Sequence, residues 1–559
     1  MNSNMNVTIR RLTNTFITLF LIISAVAAYI QVSNHAFFKG PTLAENGTYD
    51  PRICPPFDAP LRGRILDRNG NVIAQTVKDD SKSGAYTCGY HRVYAQWVVD
   101  DGLAPLIGYF TYGRGAAGIE ASYNDQLAGI NQQVTSQQAL NKLLHKPQYG
   151  NDVYLTIDKR IQDAAAKYYD SSALHGGGVC ESQANPPGSL IVEDPKTGEI
   201  LAMVSSPDYD PNQIVAGDSQ STAVQAKANA YWAHINTVTT PVLLNRATQG
   251  LYTPGSDFKT MTLIAALDTG QASLTGTQFT KQDALSVNAG GFIINWPDYE
   301  PIWKNYSRVT FPQDVQDAYA FSNNVVFARL GLTLGADKWL SYLGKFGINT
   351  PGHPWSPVPF DAPQATSSAY PATQNGQPYN FDDAALGNAA FGQGPLLITP
   401  LTMATVTSAI AADGVMRAPH IGFEVVANGA TEASGIPIRD VSTDQQVIQP
   451  GTAQAVRAAM WSVVDYGTAF YGLGPQNGHL PRDSGNFMGG KTGTAQTENA
   501  NPHAWWISLA PDDQAPGATG SAKGVITVMK ENAGEGACQV YVADDLYSTI
   551  TQNNWWPAN

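Results

Sequence analysis

The sequence predicts a mixed α+β protein in three parts: an N-terminal apolar helix over residues 12–32, a small β-rich pedestal over 33–150, and a larger domain over 151–559 built on an antiparallel sheet with interleaved helices. Three observations carry this prediction. A largely apolar run over 16–30 continues to Val32, and with Leu12 as its start it approaches the roughly 20 residues of a membrane-spanning helix. Residues 64–74 read as strand, Asn69-Gly70 turn and second strand. From Asn151 onward, short strand-like runs alternate with stretches of helical periodicity. At 559 residues the chain exceeds what one hydrophobic core serves.

Arg10-Arg11 ahead of the apolar run places residues 1–11 in the cytoplasm and the bulk of the chain outside the membrane. Ala25-Val26-Ala27 resembles a signal-peptide cleavage site. An uncleaved anchor is expected instead, because the apolar run continues past those alanines. The pedestal holds only two glutamates, Glu45 and Glu120, too few for a sugar-polymerising site on paired carboxylates, so it reads as a folded support.

In the larger domain, residues 153–157 read as a strand leading into a helix over 158–169, and 190–192 and 200–204 as strands flanking the turn at Asp194–Gly198. Residues 490–496, 505–510 and 525–529 form three more strand-like runs. Residues 351–378, rich in Pro, Ser and Gln, read as a long surface loop, a candidate cover for the site.

A composition of 43 % hydrophobic and 14 % charged residues, with 35 Pro and 52 Gly, reads as globular and rich in loops. The net charge of −13, with no long basic run, argues against nucleic-acid binding. Cys54, Cys88, Cys180 and Cys538 contain no Cys-x-x-Cys, which argues against zinc. In an oxidising compartment, pairing Cys54 with Cys88 and Cys180 with Cys538 keeps each bridge within one expected domain; free buried thiols are the alternative.

Three strings carry the chemistry: Ser256-Asp257-Phe258-Lys259, Ser322-Asn323-Asn324 and Lys491-Thr492-Gly493-Thr494. Each is weak alone, and Ser-x-Asn is ordinarily a helix cap. Ser256 follows Pro254-Gly255 and opens a helical pattern, which puts Lys259 one turn later on the same face. A serine hydroxyl needs a base, and Lys259 can serve only as a neutral amine, about three pK units below its reference value. Desolvation and a second cation supply such shifts, and Lys491 is that cation. Ser322 between two amines can relay a proton, and the Asn324 amide can hold a substrate amide. Lys491, Thr492 and Thr494 suit a substrate carboxylate, with Gly493 between the threonines, and the backbone N–H groups of Ser256 and Thr494 can form an oxyanion hole. Gly489-Gly490 permits close approach of a backbone or a substrate.

Two competing matches fail on context. Residues 485–492 satisfy the phosphate-loop pattern, but no buried strand precedes them and no helix pattern follows. His503 lacks a Gly-x-Ser-x-Gly partner string, so it reads as structural rather than as the base of a triad.

Taken in order, these strings resemble the class B penicillin-binding proteins, of the short penicillin-binding protein A type. The likeness also covers residues 62–70, 118–123, 194–203, Asn245-Arg246-Ala247, 252–259, Gly392-Gln393-Gly394, 399–404, Gly467-Thr468-Ala469 and 491–506. The resemblance implies an antiparallel five-stranded sheet flanked by helices with an added helical lobe, preceded by a dimerisation-like pedestal. It implies a D,D-transpeptidase that cross-links peptidoglycan stem peptides with no cofactor. Ser256 would be acylated with release of D-Ala, and trapped by β-lactams. Lys259 would act as base, Ser322 as relay, Asn324 as substrate ligand, and Lys491, Thr492 and Thr494 as carboxylate ligands. A membrane glycan polymerase of the SEDS type is the implied partner. Asp257, where the family more often has Thr, is the main departure; in the first helical turn it is expected to point outward and favour the helix dipole. A β-lactamase, an antibiotic sensor, a carboxypeptidase and a catalytically silent scaffold remain as rivals.

Overall fold

The computed structural model describes residues 61–79, 89–130, 149–171, 186–296, 309–427, 435–438, 444–473, 488–497, 501–511 and 522–557. The expected anchor over 12–32, Glu45, Cys54, Cys88 and Cys180 lie outside these residues. Among the described residues no helix is long and apolar enough to cross a membrane. Cys538 is disulfide-bonded, to a partner outside them.

The described chain opens with β1 (Ile65–Leu66), β2 (Val72–Lys78) and β3 (Tyr90–Tyr94). Gly70 takes φ 83° in the first turn, a left-handed conformation that costs glycine little. Then come β4 (Asp152–Leu155), α1 (Lys159–Ser171), and the antiparallel pair β5 (Gly188–Glu193) and β6 (Ile200–Ser206). The central segment supplies α2 (Lys259–Asp268), α3 (Val315–Ala320), α4 (Asn324–Leu334) and α5 (Pro400–Ala411). After β7 (Gly422–Val426) and β8 (Ile436–Pro437) come α6 (Pro450–Asp465) and α7 (Thr468–Leu473). The chain closes with β9 (Gly489–Ala495), β10 (His503–Ala510), β11 (Gly524–Lys530) and α8 (Val540–Gln552).

Five strands form one sheet in the order β9-β10-β11-β5-β6, antiparallel throughout. Its inner strands are buried along nearly their whole length, as both faces are covered. α1 and α8 pack on each other and on the sheet, as do α5 and α6. The central helix α2 is buried on every side from Lys259 to Ala266, so it carries no solvent face.

The segments on either side of residue 150 share one sheet. A six-stranded sheet runs β8-β7-β4-β1-β2-β3, in which β1 pairs parallel with β4 and β4 antiparallel with β7. One apolar core joins Ile65, Ile73 and Leu103 to Ile191, Ile200 and Leu401. Glu120 lies buried between Arg62 Nε (2.5 Å) and Arg92 Nε (2.7 Å) and accepts from the Tyr94 hydroxyl at 3.0 Å. Burial raises its pKa, but the Arg92 and Arg62 guanidinium groups outweigh that and hold it below the usual value. Glu120 is therefore an internal tie.

Residues 351–378 do form mostly irregular chain, but they do not behave as a loose surface cover. Asp361 accepts from the backbone N–H groups of Ile421 (2.8 Å) and Gly422 (2.7 Å) and from the Tyr123 hydroxyl (2.6 Å), which clasps the loop to the pedestal side. Its further ties run to Thr248 and Leu397.

Candidate active site

Ser256 sits on a 3-10 turn, Gly255–Phe258, that leads directly into α2. Gly255 holds φ 66°, and a Cβ there would lie 2.8 Å from the Thr494 carbonyl group. Its N–H donates to Gly392 O at 2.9 Å, and Gly392 itself could carry no Cβ, which would fall 1.6 Å from Gly255 O. Glycine at both positions lets three chain segments meet behind the nucleophile.

Lys259 is fully buried, and its Nζ lies 2.7 Å from Ser256 Oγ. The same Nζ reaches Ser322 Oγ (2.9 Å), Ser322 O (2.9 Å) and Asn324 Oδ1 (2.6 Å). Ser322 occupies φ 57° between α3 and α4, a conformation rare for a residue with a Cβ. Asn323 fixes that turn: its Oδ1 accepts from Val325 N (2.9 Å) and Val326 N (3.2 Å), and its Nδ2 donates to Ala284 O and Gln313 Oε1. The helix cap is thus the middle residue of the string, which leaves Ser322 and Asn324 to face Lys259.

Lys491 comes from the edge strand β9. Its Nζ donates to Ser322 Oγ at 3.0 Å and to Thr492 O at 2.9 Å, and stands 5.6 Å from the Tyr319 ring centre. Burial lowers its pKa to about 7, against the raising effect of Asp257. Because Lys491 lies inside a strand, the phosphate-loop reading is excluded by geometry as well. The Gly490 position admits Trp506, whose ring would lie 2.3 Å from an added Cβ, so this glycine serves packing rather than substrate approach.

Asp257 contradicts the outward orientation expected from its place in the first turn. It is fully buried, and no side chain among the described residues hydrogen-bonds either carboxyl oxygen. Gly493 lies against it, since a Cβ there would be 3.1 Å from Asp257 Cγ. Burial pushes its pKa well above the carboxylate range, opposed first by Lys491 and less by Lys259.

Of the two threonine hydroxyls, Thr492 is buried and bonded to Thr468 Oγ1 at 2.7 Å, while Thr494 is half-buried and bonded to Glu535 Oε2 at 3.1 Å. Ser256, Lys259, Ser322, Asn324, Lys491 and Thr494 therefore meet in one place. His503 does not join them: its Nδ1 accepts from Asn532 N at 3.1 Å and its ring packs edge-on to Tyr252. Sequence reasoning did not single out Thr468, Tyr319 or Glu535. Only Thr468 carried a signal, in the Gly467-Thr468-Ala469 match.

A nucleophile-bearing helix under an edge strand, with two lysines about one serine hydroxyl, defines the class of active-site-serine acyl-transfer proteins. The penicillin binding protein transpeptidase domain family matches residues 188–522, and the penicillin binding protein A dimerisation domain matches residues 62–153. The chain belongs to the penicillin-binding protein transpeptidase family. It is 28 % identical over 542 residues to the peptidoglycan D,D-transpeptidase PbpA of Mycolicibacterium smegmatis, covering 95 % of each chain. It is 29 % identical over 339 residues to the peptidoglycan D,D-transpeptidase MrdA of Escherichia coli, covering 57 % of this chain and 46 % of that one. Among solved structures, the imipenem acyl-enzyme of Mycobacterium tuberculosis penicillin-binding protein A aligns with TM-score 0.70 at 25 % identity, over 89 % of this chain and 99 % of that one. Its penicillin G acyl-enzyme aligns with TM-score 0.68 at 25 % identity, over 88 % and 100 %.

Proposed function

We propose that this protein is a peptidoglycan D,D-transpeptidase that works through a Ser256 acyl-enzyme and is acylated and inhibited by β-lactams. The observation that carries the reading is the 2.7 Å contact of Lys259 Nζ with Ser256 Oγ, completed by Ser322 Oγ between both lysines. Neutral Lys259 takes the Ser256 proton as Oγ attacks the penultimate D-Ala carbonyl. Ser322 passes a proton to the departing D-Ala amine, with Lys491 behind it. Asn324, whose Oδ1 is held by Lys259, presents its amide nitrogen to the donor peptide. The N–H groups of Ser256 and Thr494 receive the oxyanion, which the close contact of Gly255 with Thr494 supports. Lys491, Thr492 and Thr494 receive the terminal carboxylate, with the Thr492 hydroxyl also bonded to Thr468. An acceptor amine then attacks the ester and frees Ser256.

We assign residues 1–11 to a cytoplasmic tail, 12–32 to a single-pass anchor, 33–150 to the pedestal and 151–559 to the transpeptidase domain, which works outside the membrane. The paired arginines before an apolar run support this placement. The pedestal and anchor would meet a membrane glycan polymerase of the SEDS type.

The test is a donor peptide ending in D-Ala-D-Ala, offered with a labelled D-amino acid as acceptor. Release of D-Ala with label in the peptide is expected. Release with water as the sole acceptor would favour a carboxypeptidase, and no release a scaffold.

A further inference from the structure

The hydroxyl that best suits a substrate carboxylate is already in contact with one of the protein's own. Thr494 Oγ1 donates to Glu535 Oε2 at 3.1 Å and accepts from Gly536 N at 3.3 Å. Glu535 is exposed, so its carboxylate has no need of this partner to be solvated. What brings it there is the backbone. Upstream, Glu531 accepts from Arg246 Nε and the Tyr252 hydroxyl, each at 2.8 Å. Asn532 N donates to His503 Nδ1, and Gly534 N to Pro502 O at 3.0 Å. Downstream, Gly536 lies flat on the sheet, where a Cβ would come 2.2 Å from Gly493 O and 2.5 Å from Trp505 O. The segment is then fixed by the Cys538 disulfide and the 3.1 Å bond from Cys538 N to Glu535 O. Residues 531–538 are tied at both ends, and Glu535 is the side chain they deliver to β9.

We propose that Glu535 sets the charge preference of the carboxylate-binding end of the site: an incoming carboxylate must displace it from Thr494 and remain beside its negative charge. The inference rests on the acyl-transfer reading above. Glu535 is exposed, so like charges a few ångströms apart there are screened nearly as in water and repel by an amount worth about three- to tenfold in rate or affinity. Lys491, on the same strand as Thr494, supplies the opposing attraction, so the pair of residues grades substrates by the charge they carry at this point. A donor, an acceptor or an antibiotic whose carboxylate is masked as an amide or ester escapes the penalty.

The test compares second-order acylation rates of the full-length protein and Glu535→Gln, using benzylpenicillin and its methyl ester, which lacks the carboxylate. At low salt the variant is expected to react with benzylpenicillin about three- to tenfold faster, with little change for the ester. The advantage should shrink at about 1 M salt, where the screening length is about 3 Å. The ratio of the two rates within each protein removes any general effect of the substitution on folding. If both proteins are acylated but that ratio is the same, Glu535 has no such role and the acyl-transfer reading stands. If benzylpenicillin acylates neither protein, the reading fails and this inference with it.

Discussion

Lys259 and Lys491 donate to the same oxygen, the Ser322 hydroxyl, at 2.9 and 3.0 Å. The two lysines come from the central helix and from the edge strand of the sheet, and both are fully buried. Two buried ammonium groups bonded to one oxygen repel each other, which favours the neutral form of one of them. Ser256 is the group that uses the resulting free amine.

Ser322→Ala removes the oxygen that joins the two amines. Acylation by fluorescent penicillin should fall by about 10²–10⁴. Stability should change by less than about 1 kcal/mol, because the α4 cap belongs to Asn323. Stopped-flow labelling with a parallel urea titration checks both, and a variant that labels at the wild-type rate removes Ser322 from the proton path.

The pH profile separates the roles of the lysines. Lys491 has a pKa lowered to about 7 by burial, so its positive charge is present below that pH and lost as pH rises through it. Acylation by a carboxylate-bearing penicillin should therefore decline on the alkaline side of about pH 7. The methyl ester, which needs no cation, should lack that decline. Identical alkaline limbs for the two compounds would assign the titration elsewhere.

Asp257→Asn should stabilise the protein at neutral pH. The folded state raises this carboxyl group's pKa through burial, so above the unfolded value near 3.9 the folded chain holds a proton that the unfolded chain releases. Stability from this group is thus intact at acid pH and lost as pH rises. The variant should gain about 1–3 kcal/mol at pH near 8, shrinking toward pH 4, in urea unfolding followed at several pH values. A gain independent of pH would mean that Asp257 is not the group responsible.

The fate of Asp257 also marks the limit of what the sequence made legible. Elements whose rules are local were readable: Lys259 three residues after Ser256, the Asp194–Gly198 turn between β5 and β6, and the strands at 489–495 and 503–510. A first-turn acid on a helix ordinarily faces water, whereas this one is buried with Gly493, far along the chain, close against it. Nor does spacing reveal that β1, β4 and β7 share a sheet across residue 150, because such pairing depends on distant partners. Asp361 is an ordinary aspartate in the sequence, yet its bonds to Ile421, Gly422 and Tyr123 decide where the 351–378 loop lies. Glu535 carried no sequence signal, since its place is set by the ties on either side of it.

Peptide mapping by mass spectrometry after exposure to benzylpenicillin tests the central claim most directly. The convergence of Lys259, Ser322 and Lys491 on Ser256 predicts an adduct of the whole antibiotic on the peptide that contains Ser256, and none in Ser256→Ala. An adduct on a different residue, or wild-type protein left unmodified, would contradict the assignment of Ser256 as the acylated nucleophile.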